Sequence, residues 1–168
     1  MSPEINLATT AEQINLIENL AREIWQQHFT PIIGEQQVAY MLQKFQSAEA
    51  MREQINNGCE YYLVSLDNEP VAYAGIIPES EKKRLMLSKI YVKQSMRGNG
   101  VGKAMLEFIE QKSTHKGLES IWLTVNRFNH EPISWYKRNG FVTVDEVKKD
   151  IGNGFFMDDY VMQKNLKT

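Results

Sequence analysis

The chain has 168 residues, 42% of them apolar and 24% charged, values that suit one globular domain with a proper core. They exclude a disordered, collagen-like or membrane-spanning chain, because the longest apolar stretches fall far short of the ~20 residues a bilayer requires. Net charge is −2, too balanced to attract nucleic acid through a global field. The opening Met1-Ser2-Pro3-Glu4-Ile5-Asn6 lacks the basic flank and apolar run of a secretory signal. A lone Cys59 rules out an internal disulfide framework and fits a reducing cytoplasm. His28, His115 and His130 are too far apart in sequence to suggest zinc-ligand spacing, so no metal site is expected.

In chain order, a helical pattern runs from about Thr10 to Gln27, with Ile14, Ile17, Ala21 and Ile24 as an apolar stripe and Thr9 or Thr10 as its cap. Phe29-Thr30-Pro31 breaks it. Val38, Met41, Leu42 and Phe45 then predict one helix from Gly34 to Ile55, ended by Asn57-Gly58. The period next changes to that of strands, with Glu60–Leu66 and Pro70–Ile77 joined as a hairpin through Asp67-Asn68-Glu69. Leu85–Val92 is a further strand, Asn99–Lys116 an amphipathic helix with Gly117 at its C-cap, and Ser120–Val125 a buried strand. A short helix opens near Pro132 and stops at Asn139-Gly140. Strands Phe141–Lys149 and Phe155–Gln163 flank Gly152-Asn153-Gly154. The order predicts a mixed α/β domain containing a right-handed parallel strand–helix–strand crossover.

Charge is unevenly placed. Lys82, Lys83, Arg84, Lys89, Lys93, Arg97 and Lys103 fall in a stretch ending at Leu106 that has no acidic residue, leaving 12 basic and 21 acidic residues elsewhere. A basic segment on an acidic body fits either a bound anion or a solvated strand edge. Inside it lies Arg97-Gly98-Asn99-Gly100-Val101-Gly102-Lys103, between a strand and a helix start. Unpaired backbone N–H groups at a helix N-terminus, with glycines that permit close approach, suit a phosphate. A Walker A loop would need glycine where Arg97 stands and Ser or Thr where Ala104 stands. A dinucleotide fingerprint would need glycine at Lys103. Both patterns fail. A turn with a helix cap and no ligand remains the plain alternative.

The remaining pattern, Arg-x-x-Gly-x-Gly from Arg97 to Gly102, resembles the acetyl-CoA pyrophosphate loop of the GNAT superfamily of N-acetyltransferases. The resemblance continues through the preceding strand, which ends Ile90-Tyr91-Val92, and through Asn129-x-x-Pro132-x-x-x-Tyr136-x-x-x-Gly140-Phe141. It covers Leu85 to Phe141; the two N-terminal helices and the hairpin agree in order only. A looser likeness, in the region of Tyr40-Met41-Leu42 and the loop, is to bacterial polyamine acetyltransferases. The resemblance implies one domain over 1–168, with 1–58 a variable helical acceptor-side part and 85–141 the cofactor-binding core. It also implies a central, mostly antiparallel twisted sheet with a splayed parallel pair of strands at the cofactor cleft, and helices on both faces.

The same resemblance implies acetyl transfer from acetyl-CoA to a primary amine by direct attack, with CoA as product. Arg97, Gly98, Asn99, Gly100, Val101, Gly102 and Lys103 would hold the pyrophosphate. Ile90, Tyr91 and Val92 would present backbone groups to the pantetheine arm and thioester carbonyl, where an oxyanion needs a donor. Asn129 would bond the pantetheine amide, and Tyr136 would be the general acid for the leaving thiolate. Read without the loop, Tyr136 is equally a core aromatic and Asn129 a helix cap.

The family's usual glutamate base falls on Ser88, and no carboxylate lies between Lys82 and Leu106. A water chain, or a residue of the variable half such as Glu60 or His28, can substitute; none is assigned. Trp25, His28, Phe29 and Tyr40 read as core more readily than as an acceptor pocket, Cys59 as structural, and Asp158-Asp159 as solvating an edge strand more readily than as facing a cationic acceptor. The expected acceptor is a small cationic amine such as a polyamine. The alternatives are a protein or peptide amine, and a CoA-binding sensor without turnover. No membrane partner is expected, and an added edge strand allows a homodimer.

Overall fold

The computed structural model describes residues 2–166, which form two compact units. One takes the chain up to Ile77 together with Lys89–Ile109; the other takes Pro78–Ser88 and the chain from Glu110 onward.

In the first unit, β1 (Glu4–Leu7) precedes α1 (Ala11–His28). The α1 start is a capping box: the Gln13 N–H donates to the Thr10 hydroxyl at 3.2 Å, and the Thr10 N–H donates to Gln13 Oε1 at 3.0 Å. Its buried stripe takes in Leu20 and Trp25 besides the four residues expected. Strand β1 has no counterpart in the sequence reading. It pairs antiparallel with β2; Glu4-Ile5-Asn6-Leu7 does alternate polar and apolar, but over only four mostly exposed residues, a run too short to stand out from a loop.

The expected break after α1 holds a short helix, α2 (Thr30–Ile33), and the helix expected over 34–55 is instead two, α3 (Glu35–Phe45) and α4 (Ala48–Asn56). Pro31 lies in the first turn of α2, starting a helical turn as well as interrupting α1. The break between α3 and α4 is made by side chains. The Ser47 hydroxyl accepts from the Ala50 N–H at 3.1 Å and donates to the Gln43 carbonyl at 2.8 Å, so it caps α4. Buried Gln46 leaves the helix to accept from the Tyr73 hydroxyl at 2.9 Å.

Strands β2 (Glu60–Leu66) and β3 (Glu69–Glu79) form the expected hairpin. Asp67 and Asn68 take φ of 50° and 65°, the left-handed pair that matches strand twist in a two-residue turn. Strand β4 (Arg84–Val92) and helix α5 (Val101–His115) follow, with parts in each unit.

The second unit adds β5 (Ser120–Asn126), α6 (His130–Arg138), β6 (Val142–Gly152) and β7 (Phe155–Asn165). Gly117, with φ of 75°, closes α5 as a C-cap glycine should. Strand pairing runs β1-β2-β3-β4-β5-β7-β6. The recorded antiparallel pairs contrast with β4–β5, the parallel pair joined through α5. That parallel register spans Arg84↔Ser120 to Met86↔Trp122, three residues of a nine-residue strand, which agrees with the splay implied above. The protein is a mixed α/β fold.

Candidate acetyl-CoA site

In the first unit, β4 delivers the chain through Lys93 and a 3-10 turn, Gln94–Met96, to the glycine loop. Gly98 and Gly100 have φ of 82° and 79°, and a Cβ built on either meets nothing within 4 Å. The backbone there demands glycine, and the space beside it is open. Helix α5 begins with the Ala104 N–H donating to the Gly100 carbonyl at 3.0 Å. The N–H groups of Val101, Gly102 and Lys103 precede that bond and have no acceptor within the helix, the arrangement that receives an anion. Arg97 and Lys103 are exposed beside them; Arg97 Nε donates to the Val92 carbonyl at 3.4 Å, and Asn99 Nδ2 to the Met96 carbonyl at 3.3 Å.

Four other cations of the basic segment, Lys83, Arg84, Lys89 and Lys93, have structural partners. Lys83 pairs with Glu119 at 3.8 Å and Arg84 with Glu79 at 3.0 Å, while Lys93 reaches Glu23 and Glu69 at 3.8 and 3.6 Å. Of the two alternatives left open by composition, neither a solvated edge nor one large anion site covers the whole segment; Arg97 and Lys103 are the cations on the loop.

Lys89 was missed as a feature in its own right. It is 6% exposed, on the face of β4 that also buries Leu85 and Leu87, and its ammonium donates to the Phe45 carbonyl, to Tyr61 and to Gln54 Oε1 at 3.1 Å. Phe45 ends α3, so Lys89 places its charge at the negative pole of that helix, where Gln54 Nε2 also donates at 3.1 Å. Burial pulls the ammonium down from 10.5 to about 7, opposed by the nearby Cys59 sulfur. The alternation Leu85, Leu87, Lys89 was the available signal. Tyr91 packs with Trp25, Phe29 and Tyr73 at 5.7, 6.2 and 5.4 Å between ring centroids, so Trp25 and Phe29 are core, as expected. Cys59 is buried and its thiol is pushed up to about 11 by that burial, which makes it inert. Ser88 is half-buried, and Glu60 Oε1 accepts from the Tyr62 hydroxyl at 2.7 Å.

In the second unit, Asn129 precedes α6 as its N-cap residue, but its buried side chain makes no cap hydrogen bond. Tyr136 is buried in α6 against Trp135 and Phe141, with centroids 5.4 and 5.5 Å away. Its burial raises the phenol's pKa, so the proton stays on oxygen at neutral pH. Asp159 corrects the sequence reading. It lies on β7, an interior strand between β5 and β6, and is 5% exposed, so it solvates no edge. Burial raises its carboxyl to about 6, opposed mainly by a hydrogen bond from Thr124, while Arg127 bonds the neighbouring Asp158 at 2.8 Å. It stands opposite Asn126, the last residue of β5, from which the chain turns into α6. Among the described residues no three His, Cys, Asp or Glu side chains cluster to hold a metal, and no helix is long and apolar enough to cross a membrane.

The profile of the acetyltransferase (GNAT) family matches residues 17–141. The chain belongs to that family. It is an acetyltransferase with acetyl-CoA as donor, as the glycine cradle and its cations fit. It is 24% identical over 163 residues to spermidine N(1)-acetyltransferase of Thermoplasma acidophilum, covering 94% of this chain and 97% of that one. In fold it is similar to a PaiA N-acetyltransferase from Thermoplasma acidophilum solved in complex with coenzyme A, with a TM-score of 0.80, 24% identity, and 98% and 99% of the two chains covered. It is also similar to aminoglycoside 6′-acetyltransferase type Ii, with a TM-score of 0.72, 20% identity and 98% of each chain covered.

The buried ammonium has a consequence for stability. Between pH 7 and 10 the folded protein holds Lys89 largely neutral while the unfolded chain binds the proton, so stability rises with pH across that window. Lys89→Met removes this slope. In urea titrations at pH 7 and pH 9, the wild type is expected to gain on the order of 2 kcal/mol more than the variant.

Proposed function

We propose that this acetyltransferase acetylates a primary amine on a small cationic acceptor of the polyamine class. The observation that carries the donor half of this reading is the open space at Gly98 and Gly100 in front of the first-turn N–H groups of α5. The acceptor half rests on the spermidine acetyltransferase relative and on the 21 acidic against 12 basic residues outside the basic segment. A cytoplasmic location belongs to the same reading, since a lone, buried, inert thiol suits a reducing compartment.

Bound acetyl-CoA supplies the thioester whose acetyl group moves to the amine. Arg97, Lys103 and the N–H groups of Gly98, Asn99, Gly100, Val101 and Gly102 hold the pyrophosphate. Backbone groups of Ile90, Tyr91 and Val92 orient the thioester end, as they lie beyond the part of β4 that is in register with β5. Asn129 holds the pantetheine amide. Tyr136 carries the proton that the leaving sulfur needs; its hydroxyl is kept protonated by burial.

An acceptor ammonium, with a pKa of about 10.4, must lose a proton before it attacks. Ser88 has no carboxylate to take it. Asp159 is the buried carboxylate among the described residues, and it is ionised at neutral pH while remaining basic enough to accept a proton. We assign it the base role.

Calorimetric titration with acetyl-CoA, followed by an amine panel read through CoA release, tests this reading. Turnover confined to peptide amines would overturn the acceptor assignment. Gly100→Val is expected to lower stability by about 1–2 kcal/mol through its left-handed φ, while acetyl-CoA affinity falls about a hundredfold because the side chain fills the phosphate space. Equal losses of stability and binding energy would count against the cradle. Tyr136→Phe is expected to lower kcat by about a hundredfold or more with the acetyl-CoA Kd unchanged. Wild-type kcat/KM is expected to fall as pH drops below about 6, and Asp159→Asn to remove that limb along with most activity; a limb that survives in Asp159→Asn refutes the base assignment.

A further inference from the structure

Strand β6 lies at the end of the sheet, paired with β7 along one side only. Its first nine residues are exposed, and Val142, Val144 and Val147 are exposed by 60, 53 and 39%. A long edge with exposed valines is a template for another strand. Charged side chains on such an edge usually repel incoming strands. Here their order does the opposite for one particular partner.

Outward from Val147 the strand reads Glu146 and Asp145 in one direction, Lys148 and Lys149 in the other. We propose that β6 pairs antiparallel with β6 of a second copy of this chain, about a two-fold axis at Val147. In that register Val147 meets its own copy. Glu146 opposes Lys148 of the partner subunit, Asp145 opposes Lys149 of the partner subunit, and the symmetry repeats both pairs. Directly opposed residues share a face of the sheet, so these four contacts are true cross-strand ion pairs. Moving the axis to Glu146 or to Lys148 sets like charges against themselves, so the charge order selects one register.

Two of the charges are already held in place. Arg127 binds Glu146 at 2.8 Å, and Lys148 lies over the Phe156 ring at 5.3 Å, on the same face of the β6–β7 pair. Ordering them beforehand lowers the entropy lost on association. The bulge at Val144, where the β6–β7 register shifts between Thr143 and Asp145, ends the straight part of the edge beside the charged run. The contact is isologous and uses the β6 edge of both copies, so it closes at a dimer.

Sedimentation velocity on the full chain, from micromolar to submillimolar concentration, is expected to show a monomer–dimer equilibrium whose Kd rises with salt. The double variants Asp145→Lys/Glu146→Lys and Lys148→Glu/Lys149→Glu each place like charges across the axis and raise that Kd by about tenfold or more. Mixing the two variants restores association as a heterodimer. This rescue separates loss of pairing from loss of folding, and thermal melts of each variant check the fold. A wild type that stays monomeric throughout the range overturns the proposal, as does a dimer that neither charge reversal nor salt weakens.

Discussion

The site depends on the parallel pairing of β4 with β5. Parallel neighbours cannot be joined by a tight turn, so the chain must leave the end of β4 and return through a crossover helix. That requirement places the N-terminus of α5 just beyond Val92, with Lys93 to Gly100 as the connection. Unsatisfied N–H groups are unavoidable at a helix start, and here the glycines leave the space before them open. The register with β5 lasts only from Arg84 to Met86, so the later residues of β4 are not committed to that ladder. The cradle at the start of α5 is thus built mainly from main-chain geometry, with Arg97 and Lys103 exposed beside it. The same fold recurs at about a quarter sequence identity or less.

Buried charge is the second theme, and each unit holds one instance. Lys89 sits among oxygen acceptors at the end of α3, and Asp159 beside Thr124 on an interior strand. Both are pulled towards neutrality by burial, and both therefore titrate nearer to physiological pH than an exposed lysine or aspartate. Their contexts differ. Lys89 is enclosed by hydrogen bonds that tie α3 and α4 to β4, a structural task. Asp159 stands opposite the end of β5, where the chain turns towards Asn129 and α6.

Much of the fold was legible because its signals are local. The Thr10 capping box, the Asp67-Asn68 turn, the amphipathic face of α5 and Gly117 after it each depend on residues a few positions apart. The features that escaped depend on distant partners. The turn from α3 to α4 follows from Gln46 reaching Tyr73, a residue 27 positions away, while β1 is a strand only because β2 offers it hydrogen bonds. Asp159 looked like an edge residue because sequence cannot say that β7 is inserted between β5 and β6.

By itself, then, the sequence determined the glycine loop, the crossover that presents it and the family to which they point, since backbone dihedrals and helix ends obey short-range rules. Tertiary structure alone decided which charges are buried, which strand is left as an edge and which lysines of the basic segment are occupied by partners. Those outcomes depend on desolvation and pairing, and both are set by groups that the chain brings together only when it folds.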